Sequence, residues 1–231
     1  MNIIITGASG GIGQATAREF AKNGTHNLVL ISRNKERLIQ LSKDLKKYKS
    51  KVLIQPLDIN LHEISELKHT IDGLGGKIDI LINNAGSLIN KPFSEITTDD
   101  FDQVCDTNFK SPFFLIQTLL PFFNNGAHIV NISSMGGYQG SVKFPGLSAY
   151  SSSKGALSIL TECLALELSE KGISVNCLAL GSVQTPMLEK AFPGFVAQTS
   201  PDEMAQYISW FAMHAHKWMN GKVLPVSLST P

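Results

Sequence analysis

Tyr150 and Lys154 are the two residues whose types and spacing point most directly to chemistry. They open an apolar run with helical character, and side chains four residues apart lie on the same face of a helix. A free tyrosine has a pKa of about 10, and a cation held close to it favours the phenolate. We therefore predict that Lys154 lowers the pKa of Tyr150 and makes it a general acid or base near neutral pH. The alternative is a surface pair without function, because this spacing is common on helices.

A glycine-rich turn lies between the first predicted strand, residues 2–6, and a helical pattern that reaches Ala21. Glycines permit a tight turn and the close approach of a pyrophosphate, and a helix N-terminus offers unpaired N–H groups with a partial positive charge. A purely structural turn is the alternative. The predicted phosphate-binding residues are Gly7, Ser9, Gly10, Gly11, Ile12 and Gly13.

The residues after the second predicted strand, 28–31, bear on which dinucleotide such a turn would bind. In NAD-binding proteins an acidic residue about 20 positions beyond the turn holds the ribose 2′-hydroxyl. Ser32 and Arg33 stand there instead, and a guanidinium suits a 2′-phosphate. The pattern favours NADP and leaves NAD possible, with Arg33 as an ordinary surface arginine as the alternative.

Composition excludes some classes of partner. The chain has 231 residues, of which 43% are hydrophobic and 17% charged, and its formal net charge is +1. This suffices for an α/β domain with a buried core and gives no electrostatic reason to expect nucleic acid or an anionic membrane as a partner. The longest apolar run, residues 113–123, is too short and too interrupted to span a bilayer.

The cysteines and histidines show no pattern of a metal site or a disulfide framework. Cys105, Cys163 and Cys177 lack the spacing of either, which predicts mostly buried, reduced thiols. Because the chain also begins without a signal-peptide pattern, we expect a cytoplasmic protein. His214 and His216 stand two apart on a predicted helix and point to nearly opposite sides, so we expect a structural role for them and no metal.

About seven short apolar segments alternate with helical patterns, which predicts a parallel sheet covered by helices on both faces. The helical patterns between the later segments include residues 61–73, 99–108 and 201–213. No linker, repeat or low-complexity stretch interrupts the series, so we expect a single domain over residues 1–231. The predicted strands are residues 2–6, 28–31, 52–55, 78–82, 127–131, 173–178 and 223–226.

Taken in order, the motifs of the chain resemble those of the short-chain dehydrogenase/reductase family. The resemblance implies a doubly wound Rossmann fold, a single parallel sheet of strand order 3-2-1-4-5-6-7 with helices on both faces. It also implies that a cofactor lies across the carboxyl ends of the strands. The matching segments are TGASGGIG at 6–13, Asp58, NNAG at 83–86, Asn108, ISS at 132–134, YSSSK at 150–154 and GSVQTP at 181–186.

The same resemblance implies roles for particular residues. Ser134 would hydrogen-bond a substrate carbonyl and Tyr150 would deliver the proton. Lys154 would hold the nicotinamide ribose, and Asn108 would hold a proton-relaying water, which completes an implied catalytic tetrad. Further implied cofactor contacts are Asp58 and Ile59 at the adenine, Asn84, Ala85 and Gly86 along the cofactor, and Gly181, Val183 and Thr185 around the nicotinamide carboxamide.

The sequence departs from the family pattern at three places. Leu180 stands where a proline is usual, which predicts a looser loop. Ser134 and Tyr150 are separated by about three more residues than the pattern, which places additional residues near the substrate mouth, around 143–147. The segment after Pro186 is short, so we expect a small substrate lid at about residues 186–200.

The helix that begins near Tyr150 carries apolar residues on two faces. One face can cover the sheet, and the other needs a partner subunit, so we expect a homodimer or homotetramer. The two sets are Leu157, Leu160, Leu164 and Leu168, and Ala156, Ile159, Cys163 and Leu166.

Together these observations predict an NADP-dependent oxidoreductase that transfers hydride from NADPH to a ketone, either a small molecule or a carrier-bound one, or catalyses the reverse. An NAD-dependent alcohol dehydrogenase is the alternative among enzymes. A non-catalytic dinucleotide-binding redox sensor is the alternative outside them. The presence of all four residues of the implied tetrad argues against the sensor, because a binding protein does not need them.

Overall fold

The fold is built on one sheet of seven strands in the order β3-β2-β1-β4-β5-β6-β7. The computed structural model describes residues 1–61 and 65–228. Every neighbouring pair of strands is parallel, so the predicted fold class and strand order are confirmed. The strands are β1 Asn2–Thr6, β2 Asn27–Ser32, β3 Lys51–Pro56, β4 Ile78–Asn83, β5 Phe123–Ser134, β6 Ser174–Leu180 and β7 Val223–Val226.

Helices connect the strands and cover the sheet. The pattern at residues 61–73 corresponds to α3, and residues 62–64 of that prediction lie outside the described residues. The helices are α1 Gly11–Asn23, α2 Lys35–Leu45, α3 Ser65–Asp72, α4 Thr98–Cys105, α5 Ser111–Leu119, α6 Ser148–Glu167, α7 Pro186–Ala191 and α8 Pro201–His214.

The two faces of the sheet bury separate apolar clusters because side chains alternate along each strand. In β1, Ile3 and Ile5 pack on one face with residues of α1, α2 and α8. Ile4 packs on the opposite face with residues of α3, α5 and α6. A parallel sheet with both faces covered has this arrangement, and it leaves the carboxyl ends of the strands as the edge where loops can form a site.

The helix predicted over residues 99–108 is continuous with the next one but irregular. It begins at α4, where the Thr97 hydroxyl accepts a hydrogen bond from the Asp100 N–H at 3.1 Å. It then passes through a π-helical turn, Asp106–Lys110, directly into α5. Such turns are rare and occur frequently at functional sites. Here the turn sets the position of Asn108.

The cysteines are less uniformly buried than the sequence predicts. Cys177 is buried, Cys105 is half-buried and Cys163 is exposed. The prediction is wrong for Cys163 because this residue lies on the side of α6 that also exposes Ile159 and Leu166. Within residues 1–61 and 65–228, no group of His, Cys, Asp and Glu could hold a metal ion. No helix in this described part is long and apolar enough to cross a membrane.

His128, in β5, is a histidine held neutral inside the core. Its Nδ1 lies 2.9 Å from the Ala212 carbonyl oxygen, and its Nε2 lies 2.9 Å from Nδ2 of Asn176. The Asn176 amide is oriented by its other bonds, since Nδ2 donates to the Met219 carbonyl and Oδ1 accepts from the Lys222 N–H. Nε2 of His128 therefore accepts a hydrogen bond and Nδ1 donates one, which only the neutral ring can do.

We expect His128 to make the protein less stable at acid pH. Burial lowers its pKa to about 4, with the Ala212 hydrogen bond opposing the shift and nearby His216 adding to it. The unfolded histidine has a pKa of about 6.5, so the unfolded chain takes up the extra proton as the pH falls through that value, and stability is lost progressively toward pH 4. The unfolding free energy from urea titration should be about 2 kcal/mol lower at about pH 5 than at about pH 7.

The matched variants separate His128 from the other histidines. His128→Gln should remove most of this pH dependence, whereas His69→Gln, at an exposed position, should leave it unchanged. An unfolding free energy of the wild type that is equal at the two pH values would contradict the assignment.

Candidate active site

The glycine-rich turn joins β1 to α1 and packs directly against the end of β4. Gly7 has a φ of +69°, which favours glycine. A Cβ at Gly13 would lie 2.4 Å from both Asn84 Nδ2 and the Gly7 carbonyl oxygen. Asn84 Nδ2 donates to the Thr6 carbonyl at 3.0 Å and so ties the two strand ends together. Both glycines are therefore required by backbone geometry and close packing.

The N-terminus of α1 is open toward the space above the strands. Gly10 is its N-cap and provides no side-chain cap, so the N–H groups of the first turn are available to an anion. Gly7, Gly10 and Gly11 line this space, and Gly13 does not. Gly13 packs beneath Asn84, and its contact with a cofactor stays a prediction.

A cleft of about 870 Å³ runs across the carboxyl ends of the strands. Of the predicted site residues, only Gly13 and Asn108 do not line it. The chain therefore brings into one cleft residues that are widely separated in sequence. The predicted residues that line it are Gly7, Ser9, Gly10, Gly11, Ile12, Arg33, Asp58, Ile59, Asn84, Ala85, Gly86, Ser134, Tyr150, Lys154, Gly181, Val183 and Thr185.

Tyr150 and Lys154 occupy successive turns at the start of α6, as their spacing predicts. Burial raises the pKa of Tyr150, and a hydrogen bond with the Ser134 hydroxyl opposes part of that rise. The predicted lowering by Lys154 is therefore wrong in direction. The physical reason is that Lys154 Nζ donates to the Ile132 carbonyl, 2.8 Å away, while its own burial lowers its pKa to about 8. Tyr150 is a protonated phenol at neutral pH.

Hydrogen bonds from two serines hold the backbone of Lys154. Ser133 Oγ donates to its carbonyl at 2.9 Å and Ser158 Oγ at 3.1 Å. The Lys154 ammonium lies close to the backbone of Gly86, in the loop after β4. A Cβ built on this glycine would be 3.6 Å from Nζ. Small residues after β4 therefore leave space for the lysine side chain.

Asn108 is completely buried in the π-helical turn. Its Nδ2 donates to the Ser87 carbonyl and to Ser153 Oγ, both at 2.9 Å. Its Oδ1 accepts from the Ser87 N–H at 2.8 Å, and Ser153 Oγ donates to the Tyr150 carbonyl at 2.7 Å. Asn108 thus connects the loop after β4 to the first turn of α6, behind the wall of the cleft.

The end of the cleft beside β2 and β3 is cationic. Arg33 lines it with its side chain 73% exposed and its Nη1 4.0 Å from Asp58 Oδ2. Arg37, in the first turn of α2, lines the same end, and the Ser9 and Ser32 hydroxyls lie 2.7 Å apart beside it. Sequence reasoning missed Arg37, although a second arginine soon after Arg33 in the following helix was a usable signal.

Residues 1–194 match the sequence model of the family described as short chain dehydrogenase. The chain belongs to this family. It is accordingly an NAD(P)-dependent oxidoreductase. In open α/β sheets ligands bind in the crevice outside the carboxyl ends of the strands, which is where its cleft lies.

The similarity to known proteins extends over almost the whole chain. A 3-oxoacyl-[acyl-carrier-protein] reductase of Thermotoga maritima is 32% identical, over 96% of this chain and 94% of its own. The solved structure of a dehydrogenase/reductase from Sinorhizobium meliloti has a TM-score of 0.88 and 31% identity, covering 97% of this chain and 92% of its own. L-sorbose reductase from Gluconobacter frateurii, solved with NADPH and L-sorbose, has a TM-score of 0.86 and 26% identity, covering 100% of this chain and 97% of its own.

The end of the cleft beside β5 and β6 is mostly apolar in this short-chain dehydrogenase, with Ser134, Ser182 and Ser227 among its hydroxyl-bearing residues. The long spacing before Tyr150 predicts additional residues at the mouth, and Val142, Phe144 and Leu147 line the cleft there. The segment predicted as a substrate lid, residues 186–200, contributes further apolar residues, which are Met187, Leu188, Phe192 and Phe195. Sequence reasoning did not identify Leu88 and Met135, which also line the cleft.

The unusual Leu180 is part of the sheet. It ends β6, is 4% exposed and pairs with Val226. The next residue, Gly181, donates its N–H to the Val226 carbonyl at 2.8 Å. A leucine thus continues the strand where a proline would remove a backbone donor, and the looser loop that follows it stays a prediction.

Proposed function

We propose that this short-chain dehydrogenase reduces an uncharged carbonyl compound with NADPH and that Tyr150 is its general acid. The observation that carries the proposal is a half-buried phenol, hydrogen-bonded to Ser134 and with its pKa raised by burial, in a cleft whose far end holds two arginines. A phenol that keeps its proton at neutral pH can give it to a carbonyl oxygen that is becoming negative.

The residues of the cleft fit a nicotinamide dinucleotide phosphate along its length. The open N-terminus of α1 would hold the pyrophosphate, and Arg33 with Arg37 would pair with a 2′-phosphate. Asp58 and Ile59 would contact the adenine. NADPH bound to L-sorbose reductase, which has the same fold, supports this cofactor class. The remaining contacts would come from Ser9, Asn84, Ala85, Gly86, Gly181, Val183 and Thr185.

When bound, the reduced nicotinamide ring supplies a hydride to the carbonyl carbon. Tyr150 Oη gives a proton to the carbonyl oxygen, so hydride and proton together produce an alcohol. Ser134 Oγ donates a hydrogen bond to the same oxygen and stabilises the negative charge that develops on it. In the reverse reaction the deprotonated phenol would act as the base that takes the proton of the alcohol.

Lys154 and Asn108 would support the proton transfer from behind Tyr150. The Lys154 ammonium would hold the ribose of the dinucleotide and stabilise the phenolate left after the transfer. Both Nδ2 protons of Asn108 are already donated to Ser87 and Ser153. A relay water would therefore be held by an acceptor of Asn108, either the second lone pair of Oδ1 or the backbone carbonyl.

The proposal is tested by following NADPH oxidation by the purified protein with a panel of uncharged ketones, aldehydes and oxoacyl thioesters. We expect turnover at neutral pH, faster with NADPH than with NADH at equal concentrations. Faster turnover of alcohols with NAD would instead identify an alcohol dehydrogenase. Tight NADPH binding with no turnover of any carbonyl compound or alcohol would identify a redox sensor.

Two architectural expectations extend this proposal. The chain would act as one domain in which residues 186–200 form a lid, since Phe192 and Phe195 of this segment line the cleft. It would also form a homodimer or homotetramer, because Ile159 is 60% and Leu166 79% exposed on α6, where burial of apolar area favours association. Light scattering that gives a monomer mass at micromolar concentration would contradict the second expectation.

A further inference from the structure

The charged side chains of the cleft are segregated from its apolar end. Among the described residues that line the cleft, the charged ones are Arg33, Arg37, Asp58 and Lys154. The first three lie beside β2 and β3, at the opposite end of the site from β6. The fourth is 4% exposed and donates from Nζ to the Ile132 carbonyl. A charged substrate group at the β5–β6 end would therefore lose its hydration without meeting an opposite charge.

Several apolar side chains at the mouth of the cleft are about half exposed to solvent. Val142 is 54%, Phe144 51%, Phe195 50% and Met187 42% exposed, and all four line the same cleft as Tyr150. Exposed apolar side chains that cluster around a cavity mark a ligand-binding surface. Because they continue into the cleft that holds the phenol, the molecule that covers them also reaches Tyr150.

The one cationic side chain in the loop of residues 138–147, which borders the mouth of the cleft, points away from the cleft. Lys143 stands between Val142 and Phe144, but its Nζ donates to the Tyr138 carbonyl at 2.7 Å and to the Ser141 carbonyl at 3.0 Å. Lys143 is not among the residues that line the cleft. Its charge is satisfied within its own loop, so it does not prepare the mouth for an anion.

The two apolar walls are held by a single loop after β4. Asn90 Nδ2 donates to the carbonyl of Ala191 at the end of α7, 2.9 Å away. The next residue, Lys91, donates its N–H to the Gly146 carbonyl at 3.1 Å. The wall that carries Phe144 and the wall that follows α7 are thus both fixed to residues 90–91, which gives the mouth a defined width.

We infer that the substrate is a carbonyl compound with an uncharged, apolar body that extends from Tyr150 to Phe144 and Phe195, and that these two phenylalanines determine its selection. This inference rests on the proposed function, since it names the substrate class of the same site. Free ketones and oxoacyl thioesters with apolar chains share this chemistry. Keto acids, phosphorylated carbonyl compounds and polyhydroxylated ketoses do not share it, because their polar groups would be desolvated against aromatic and aliphatic side chains.

The experiment measures kcat/KM for straight-chain methyl ketones from butanone to nonanone with NADPH. We expect kcat/KM to rise about fourfold for each added methylene, the value for complete burial of one such group. Levulinate, which places a carboxylate at the end of a short methyl ketone, and L-sorbose should each be at least about a hundredfold poorer than hexanone, the uncharged ketone of similar length. Oxoacyl thioesters of N-acetylcysteamine with the same chain lengths are tested beside the ketones, which distinguishes free ketones from thioesters as the substrates. A rise of kcat/KM with chain length in either series supports the inference.

Three phenylalanine-to-serine variants test which side chains determine the preference for long apolar substrates. Phe144→Ser and Phe195→Ser should each flatten the chain-length dependence and lower kcat/KM for nonanone roughly tenfold, with little change for butanone. Phe93→Ser is the matched control, since Phe93 is 82% exposed and does not line the cleft, and it should retain the wild-type dependence. Levulinate or L-sorbose reduced as efficiently as hexanone, or a flat dependence of the wild type with both the ketones and the thioesters, would overturn the inference.

Calorimetric binding of the ketones in the presence of NADP distinguishes failure of the inference from failure of the proposed function. Binding that strengthens with chain length and is weakened by Phe144→Ser, without turnover, would support the apolar mouth and refute the proposed reductase activity. Absence of both binding and turnover with every ketone would overturn the inference itself.

Discussion

Replacing Tyr150 by phenylalanine is expected to lower kcat for carbonyl reduction by roughly a thousand- to ten-thousandfold, the upper range for removal of a general acid. The change removes one oxygen atom and leaves the ring that packs at the start of α6. NADPH affinity, measured by fluorescence titration, should stay within about threefold of the wild type, because the pyrophosphate and 2′-phosphate contacts lie elsewhere in the cleft.

The control for Tyr150→Phe is Tyr138→Phe, a change of the same group in the neighbouring loop. Tyr138 does not line the cleft, so its variant should keep close to wild-type kcat. The pH dependence provides a second check. Because burial raises the pKa of Tyr150, the rate of reduction in the wild type should stay level through neutral pH. It should fall on the alkaline side, where Lys154, with a pKa of about 8, loses its proton first and the phenol follows. Full activity in the Tyr150→Phe protein would show that another group supplies the proton.

The combined variant Arg33→Ser and Arg37→Ser is expected to weaken NADPH binding about a hundredfold and to leave NADH binding within about twofold. Each charge-assisted contact to a phosphate contributes on the order of 1.5 kcal/mol, and a tenfold change in affinity corresponds to about 1.4 kcal/mol. The two arginines line the cationic end of the cleft, and NADH lacks the phosphate with which they would pair. The measurement is the dissociation constant of each dinucleotide at fixed ionic strength.

Arg18→Ser is the control for the arginine variants. Arg18 pairs with Asp44 at 3.4 Å with both side chains partly exposed, and it does not line the cleft. Its variant should bind both dinucleotides like the wild type. Equal losses of NADPH and NADH affinity in the double variant would show that the arginines do not read the 2′-phosphate, and the preference for NADP would have to be abandoned.

The strand order and the gathering of motif residues in one cleft followed from the sequence because they depend on backbone-level signals. Apolar strands, a glycine turn that only glycine can adopt at Gly7 and the order of motifs together leave one arrangement of the sheet. The position of Tyr150 beside Ser134 follows from the same arrangement, since β5 ends at Ser134 and α6 begins shortly before Tyr150.

The properties that sequence did not provide depend on what surrounds each side chain. The pKa of Tyr150 was predicted from its spacing to Lys154, but its direction is set by burial and by the bond of Lys154 to Ile132. Gly13 follows the phosphate-turn pattern, yet its place is beneath Asn84 and away from the cleft. Burial and the choice among hydrogen-bond partners require three-dimensional neighbours, and a spacing rule does not contain them.

The loop at residues 90–91 anchors both sides of the mouth. Substrate range and reaction rate would therefore depend on different parts of the structure. The proposed proton donor, Tyr150, stands on α6, whereas the width of the entrance is set by two contacts from residues 90–91. Under the proposed function, a change at Asn90 would widen the entrance and admit bulkier carbonyl compounds without moving the phenol. During evolution, substitutions in the loop at residues 90–91 could therefore change the substrate range of such an enzyme while its reaction chemistry stays the same.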